Sequence, residues 1–287
     1  MANGPMQQHH FLLRRLHSLS GVFPIGVFLL FHLVTNASVV WGLVNKSHGE
    51  GAHAGVETFQ HEVNFIHSLP ALLLLEIFGL WLPIAFHSIL GVYYATTGKG
   101  NTGQYKYQGN WRYTLQRISG YVGVLFIFYH VATLRWGWTF LVPGGTKWSA
   151  EYAASTLAAS LQGGTEGMTA GGIVVSLFYM LGVTLLVFHF ANGLWTAAIT
   201  WGVTISETAQ RRWGYVCAGI GMALMGAAWA AVIGFATLDY DNARQTEEMM
   251  RQGESTSMEQ DIVESTDPPM SNTYEQVARG TDEGIAP

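Results

Sequence analysis

Five long apolar runs restrict the fold of this chain more than any other feature. They occupy residues 21–44, 69–97, 117–138, 170–203 and 215–238. Each is long enough to cross a bilayer as a helix, which takes about 20 apolar residues for a hydrocarbon core of ~30 Å. Only 11% of the 287 residues are charged, less than half of the roughly 25% that is usual in soluble domains. Buried helices of a soluble protein are the alternative, but five such runs in so short a chain predict an all-α, polytopic membrane protein with five transmembrane helices.

The two ends of the chain differ in character from the runs between them. Arg14 and Arg15 precede the first run, which exceeds the 7–15-residue core of a cleavable signal and has no small-residue cleavage site after it. We therefore predict that this helix is retained. Residues 239–287 contain twelve acidic and three basic residues with few aromatic ones, a composition typical of disorder. The predicted organisation is a transmembrane domain at 1–238 and a disordered acidic tail at 239–287.

The distribution of Lys and Arg predicts the orientation, because cytoplasmic connections carry an excess of these residues. One side of the predicted bundle carries eight of them: Arg14, Arg15, Lys99, Lys106, Arg112, Arg117, Arg211 and Arg212. The short connections on the other side carry three: Lys46, Arg135 and Lys147. The pattern predicts a cytoplasmic N-terminus in the inner (cytoplasmic) membrane of the cell, and an odd number of spans then places the acidic tail outside.

Two longer connections lie on the predicted outer side. Residues 45–68 contain four histidines and three glutamates, but their irregular spacing matches no zinc-binding pattern. We predict a solvated loop there, with a surface metal site as the alternative. Residues 139–168 are interrupted by pairs of glycines, and their middle is predicted to form a short helix lying over the bundle.

Four histidines lie within the apolar runs, one in each of the first four: His32, His87, His130 and His189. Ionisable side chains at membrane depth are costly and commonly functional. A single one is often explained by a hydrogen bond to a neighbouring helix, but four in successive runs are difficult to explain in that way. With alternating helix directions, His32 and His130 fall in the outer half, and His87 and His189 fall in the inner half.

Two imidazole pairs at membrane depth indicate two haem groups. Zinc would normally require three or four ligands, whereas haem iron takes only two axial ligands from the protein. The single cysteine, Cys217, excludes a C-x-x-C-H attachment site for covalent haem and a cysteine-ligated iron–sulfur cluster on this chain. We therefore predict two non-covalent b haems, with His32 and His130 as axial iron ligands of the outer haem and His87 and His189 as those of the inner haem.

Other residues near these histidines have two interpretations each. Gly91 and Gly193 follow His87 and His189 by one helical turn, where they either admit a flat macrocycle or mediate helix contact. SLSGVFPIGVFLLFH in the first run resembles RISGYVGVLFIFYH in the third, so the two predicted outer ligands lie in related segments. Basic side chains at the inner ends of the helices either bind the inner haem's propionates or only follow the charge rule: Arg14, Arg15, His17, Lys99 and Arg117.

Several segments resemble the di-haem cytochrome b membrane anchors of succinate:menaquinone oxidoreductases and fumarate reductases. They are RRLHSLSG…FHLVTN, SLPALLLLEIF…LPIAFHSILGVYY, GNWRYTLQRISG and FHFANGLWTAAITWG. The similarity covers roughly residues 11–238 and includes all four histidines in order. It implies a five-helix anchor whose haem ligands pair between helices one and three and between helices two and four, the same pairing that topology predicts.

The resemblance also implies partners and a quinone. A flavoprotein subunit and an iron–sulfur subunit would dock on the cytoplasmic face, and this chain would carry no dicarboxylate active site. Electrons from succinate would pass through the inner and the outer haem to a quinone, of the menaquinone type, and the reverse direction would reduce fumarate. No nucleic-acid partner is implied. The acidic tail and the long outer connections depart from the family's pattern.

Glu76 is the only carboxylate within the five runs. It precedes His87 by eleven residues, about 16 Å along a helix, which places it in the outer half. Because quinone reduction consumes protons, Glu76 is a candidate proton relay or quinone ligand. The alternative is a protonated carboxyl group hydrogen-bonded to a neighbouring helix.

Two other classes of protein fit the same pattern. One is the quinone-reactive di-haem anchor of another dehydrogenase, such as a formate dehydrogenase or a hydrogenase. The other is a non-redox membrane protein that binds metal or anchors a complex. The cytochrome b of respiratory bc complexes fits less well, because it places two ligands on each of two helices. The segment matches favour the succinate dehydrogenase class.

Overall fold

The computed structural model describes residues 9–45, 53–97 and 108–266. Lys46, His48, Glu50, Lys99, Lys106 and the end of the tail lie outside the described residues, so the interpretations that rest on them stay predictions. The helices of the described part are α1 (His10–Val22), α2 (Ile25–Asn45), α3 (Ala54–Ser68), α4 (Leu72–Thr97), α5 (Gln108–Leu134), α6 (Ala153–Gln162), α7 (Ala170–Thr200), α8 (Glu207–Thr237) and α9 (Tyr240–Thr266).

Five helical segments are long and apolar enough to cross a membrane: His10–Val44, Leu72–Thr97, Trp111–Leu134, Ala170–Thr200 and Glu207–Thr237. The prediction of an all-α, polytopic membrane protein with five spans is confirmed. The segments match the five apolar runs, although several helices begin earlier than the runs do. They do so because the helical hydrogen-bond ladder continues into the polar residues that precede each run.

Two of the spans depart from regular α-helix at a proline. The first consists of α1 and α2, which are separated at Phe23–Pro24, since proline has no N–H to donate and its ring clashes with the preceding turn. The second, α4, contains a π-helical segment, Leu75–Trp81, in which the Leu82 N–H bonds to the Ile77 carbonyl. Pro83 follows directly, where its missing N–H removes a regular α-helical bond.

The first four spans form a closed bundle in the part of the chain that the structure describes. Helix α1 contacts α4 and α7, and α5 contacts the same two helices. The fifth span, α8, packs outside this ring against α2 and α7. Small residues allow close approach between these helices. At Gly234 a β-carbon would lie 2.8 Å from Val40 and 2.9 Å from Val39.

One end of the bundle carries six arginines, and we call it the basic end. They lie where α1, α5 and α8 begin, near the ends of α4 and α7: Arg14, Arg15, Arg112, Arg117, Arg211 and Arg212. Helices α3 and α6 cover the opposite end, which we call the capped end. Gln60 on α3 accepts a hydrogen bond from the Ala153 N–H at 3.0 Å and donates one to the Ala150 carbonyl at 2.7 Å.

The cap corrects one prediction and confirms another. Residues 54–68 are not a solvated loop but helix α3, whose face from Ala54 to Val63 is largely buried. The short helix expected within residues 139–168 is α6, and every residue of it is buried. It ends at Gly163, whose positive φ of 78° is the left-handed conformation that glycine adopts without strain.

The first residues of the predicted tail belong to the same compact unit as the spans. The chain divides into two compact units after Glu247, and residues 240–266 are helical. Glu247 is fully buried and accepts hydrogen bonds from the Ala154 N–H at 2.7 Å, from the Ser155 N–H at 3.2 Å and from the Ser155 hydroxyl at 2.5 Å. These bonds satisfy free N–H groups at the start of α6, and burial raises the pKa of the Glu247 carboxyl. Tertiary contacts thus order residues that composition alone assigns to a tail.

Candidate functional site: two histidine pairs in the bundle

The four histidines of the spans lie in two pairs. The ring centroids of His32 and His130 are 5.7 Å apart with an interplanar angle of 87°. Those of His87 and His189 are 6.1 Å apart with an angle of 82°. The structure therefore places side by side the same histidines that topology pairs, one pair nearer the capped end and one nearer the basic end.

The basic-end pair is held through one ring nitrogen of each histidine. His87 Nδ1 lies 3.0 Å from the carbonyl oxygen of His17, and His189 Nδ1 lies 3.1 Å from the carbonyl oxygen of Gln116. A carbonyl oxygen only accepts hydrogen bonds, so each Nδ1 carries the proton. Nε2 is then the nitrogen with a free lone pair, which is the state required of a metal ligand.

The capped-end pair has side-chain neighbours instead. His130 Nδ1 lies 3.4 Å from the hydroxyl of Tyr179, and His32 Nδ1 lies 3.5 Å from the amide nitrogen of Asn36. Phe28 stacks beside His32 at 5.2 Å, and Phe126 stacks beside His130 at 5.9 Å. These contacts are longer than those of the basic-end pair, so the two pairs differ in how firmly the protein holds them.

The spacing of both pairs suits an iron between the rings. A metal–imidazole bond is about 2 Å long, and two such bonds together with half of each ring span roughly the observed centroid separations. Sites of this kind are built in bundle cores from side chains on facing helices. The four residues thus fit two bis-histidine haem sites.

Gly91 and Gly193, for which admitting a macrocycle and mediating helix contact were both open, lie against side chains of neighbouring helices. A β-carbon at Gly91 would lie 3.3 Å from His17 Cε1, and one at Gly193 would lie 3.6 Å from Gln116 Nε2. The two glycines face side chains of the neighbouring helices, so the alternative of helix contact describes them better.

Two glycines that contact the histidine rings were missed by the sequence reasoning. A β-carbon at Gly21 would lie 2.5 Å from His87 Cε1, and one at Gly120 would lie 3.1 Å from His189 Cε1. Both follow a serine in the repeated segments of the first and third runs. The Ser-Gly pair that the two segments share is the sequence signal that points to these glycines.

Polar atoms without partners lie at the basic end. Among the side chains that the structure describes, three buried nitrogen or oxygen atoms have no hydrogen-bond partner: Arg15 Nε, His17 Nδ1 and Thr204 Oγ1. The His17 ring stacks on that of His87 at 4.1 Å. Unpartnered buried polar atoms are rare in a complete site, and these suit a bound acidic group such as a haem propionate, or a docked subunit.

Glu76 lies in the π-helical segment of α4 and pairs with Arg135 at the end of α5. The Arg135 guanidinium donates a hydrogen bond to the Glu76 carboxylate at 2.8 Å. Trp81 stacks on Trp136 beside this pair, with ring centroids 6.0 Å apart. Glu76 is thus hydrogen-bonded to a residue at the end of a neighbouring helix, as the alternative predicts, and that partner is a cation.

Two kinds of candidate remain, the single cysteine and the histidines of residues 45–68. Cys217 is buried and free. His53 Nδ1 bonds to Thr246 at 2.6 Å, and His67 Nδ1 bonds to the Val63 carbonyl at 2.9 Å. Across residues 9–45, 53–97 and 108–266, no three histidine, cysteine or acidic side chains come together in a metal-binding cluster.

Comparison with known proteins identifies the family. The chain is 36% identical over 225 residues to the succinate dehydrogenase cytochrome b558 subunit of Bacillus subtilis (strain 168), a match that covers 78% of this chain and 96% of that protein. No family model matches the sequence, and no solved structure matches it significantly. Identity at this level over nearly the whole length of the relative, together with five matching spans, shows that the chain belongs to the family of succinate dehydrogenase cytochrome b subunits.

Proposed function

We propose that the chain anchors a succinate dehydrogenase in the membrane and binds two b haems, one between His32 and His130 and one between His87 and His189. The observation that carries this proposal is the pairing of four half-buried histidines, with the proton of the basic-end pair held on Nδ1 by backbone carbonyls. When bound, the haems supply one-electron carriers between the iron–sulfur subunit and a quinone of the menaquinone type.

The basic end is proposed to face the cytoplasm and to bind the flavoprotein and iron–sulfur subunits. The charge rule for cytoplasmic connections supports this orientation, as do the partnerless polar atoms at the same end. Arg15 and His17 are the residues proposed to hold a propionate of the haem between His87 and His189. The capped end then faces outward.

The experiment that tests this function uses the complex purified from its native membrane. Succinate is expected to produce the sharp α-bands of reduced cytochrome b and to reduce an added menaquinone analogue. Reduction by formate or hydrogen but not by succinate would favour the anchor of another dehydrogenase. A complex without α-bands would contradict the haem assignment itself.

We further propose that Glu76 and Arg135 lie at the quinone site. An anionic and a cationic side chain, paired at 2.8 Å, offer a proton carrier and a hydrogen-bond donor for the two carbonyl oxygens of a quinone. The Glu76 side chain is 21% exposed and the Arg135 side chain is 55% exposed, so both are accessible to a ligand. π-helical segments like the one that carries Glu76 occur frequently at functional sites.

The variant Glu76→Gln tests this assignment. General acid–base groups contribute roughly 10²- to 10⁴-fold to rate, so quinone turnover is expected to fall on the order of 10²-fold, while succinate still reduces both haems. Glu151→Gln, at the capped end but outside the spans, is the control and is expected to retain full turnover. Normal quinone turnover in Glu76→Gln with intact haem spectra would remove Glu76 from the proposal.

A further inference from the structure

Two short segments at the basic end repeat each other in sequence and in structure. They are HSLSG at residues 17–21 in α1 and QRISG at residues 116–120 in α5. In the first, the Ser20 hydroxyl donates to the His17 carbonyl at 2.9 Å. In the second, the Ser119 hydroxyl donates to the Gln116 carbonyl at 3.1 Å.

Each segment receives one histidine of the basic-end pair in the same way. Ser20 Oγ lies 3.2 Å from His87 Nδ1, and Ser119 Oγ lies 3.2 Å from His189 Nδ1. Each hydroxyl uses its proton for the carbonyl, so its lone pairs remain to accept from the ring N–H. One ring N–H is therefore shared between a backbone carbonyl and a serine hydroxyl in both halves of the bundle.

The surrounding contacts follow the same correspondence. Gly21 and Gly120 come directly after the two serines, and both face the Cε1 atom of the bound ring. His17 faces Gly91 on α4, and Gln116 faces Gly193 on α7. The contact of α1 with His87 on α4 is thus repeated by the contact of α5 with His189 on α7.

We propose that Ser20 and Ser119 are equivalent positioning residues, which orient His87 and His189 and tune the reduction potential of the haem bound between them. This inference rests on the proposed function, since it requires a haem at the basic-end pair. Within the described residues, the capped-end pair has no serine–carbonyl arrangement of this kind, so the effect is confined to one of the two haems.

The physical effect follows from the hydrogen bond that each serine accepts. An acceptor on Nδ1–H makes the imidazole a more basic ligand, and a more basic ligand favours the ferric state. Loss of one acceptor is therefore expected to raise the midpoint potential of the basic-end haem. Partners of metal-bound histidines commonly affect metal sites by roughly 10–100-fold; a tenfold change in the reduced-to-oxidised ratio corresponds to about 59 mV for one electron.

The test is a redox titration of the purified complex carrying Ser20→Ala or Ser119→Ala. Each variant is expected to raise the reduced-to-oxidised ratio of the same haem about tenfold at a given potential, which is a rise of about 59 mV in its midpoint potential. The other haem is expected to stay unchanged. The low-spin electron paramagnetic resonance signal of that haem is expected to shift as well. Ser20→Thr and Ser119→Thr retain the hydroxyl and are expected to restore the wild-type potential.

Ser38→Ala is the matched control. The Ser38 hydroxyl is buried and donates to the Thr35 carbonyl at 2.6 Å, three residues back as in the two segments. It has no hydrogen bond to any histidine that the structure describes. Equal shifts in Ser38→Ala and Ser20→Ala, or an unchanged potential in both segment variants, would overturn the inference. A wild-type complex without two haems would instead contradict the proposed function.

Discussion

Replacing His87 with tyrosine is expected to remove one haem from the complex and to leave the other in place, and His130→Tyr is expected to remove the other one. The reason is that the two histidine pairs are separate sites. Ser119 on α5 lies beside His189 and so marks the level of the basic-end pair. His130 follows Ser119 by eleven residues on the same helix, about 16 Å along its axis. Loss of an axial ligand at one level therefore does not alter the ligands at the other.

Absorbance and magnetic resonance spectra of the purified complex measure this result. His189→Tyr is expected to give the same spectrum as His87→Tyr, and His32→Tyr the same as His130→Tyr. His67→Tyr is the control, because His67 lies in α3 outside the spans and bonds to its own helix. Equal loss of both haems in His87→Tyr and His130→Tyr would contradict two independent sites.

Gly21→Ala is expected to abolish binding of the basic-end haem almost completely. The new methyl group would lie 2.5 Å from His87 Cε1, a distance at which the ring must move. The ring is also held at Nδ1 by the His17 carbonyl at 3.0 Å, so any movement displaces Nε2 from its position for iron. Since packed interiors relax only partially, the displaced ring does not regain its ligand geometry.

The haem content of three alanine variants provides the measurement. Gly120→Ala places its methyl group 3.1 Å from His189 Cε1 and is expected to cause a smaller loss than Gly21→Ala. Gly219→Ala in α8 meets no atom within 4 Å and is expected to retain both haems. Full haem content in Gly21→Ala would show that the ring does not dock where the structure places it.

The five spans could be predicted from the sequence because lipid offers no partner for backbone N–H and C=O groups. An apolar run of about 20 residues in a bilayer must therefore be helical. The pairing of the histidines also followed from the sequence, since alternating helix directions assign each histidine to a level. Neither step requires knowledge of which helices are neighbours.

The capped end could not be predicted in the same way. Residues 54–68 and 240–247 are polar enough to be soluble, and only their contacts make them part of the bundle. His53 bonds to Thr246, and Glu247 bonds to Ala154 and Ser155. These partners are between 92 and 193 residues apart in sequence. Nothing in the local pattern of either segment specifies them.

The two repeated segments also show, at single residues, what the sequence predicts and what the tertiary structure decides. From Ser20 to His32 the chain has one residue more than from Ser119 to His130, and in a continuous helix this residue would turn His32 by about 100°. The interruption between α1 and α2 at Phe23–Pro24 accommodates the extra residue, so that His32 still lies beside His130.

The sequence by itself determined that the chain crosses the membrane five times and which histidines share a level, because hydrophobicity and helical rise are properties of local segments. The tertiary structure alone decided which atoms hold each ring, which glycines face it, and how the capped end closes. Those choices depend on carbonyl oxygens and on close contacts between distant helices. The repeated segments mark Gly21 and Gly120, but the local pattern does not specify which ring each glycine faces.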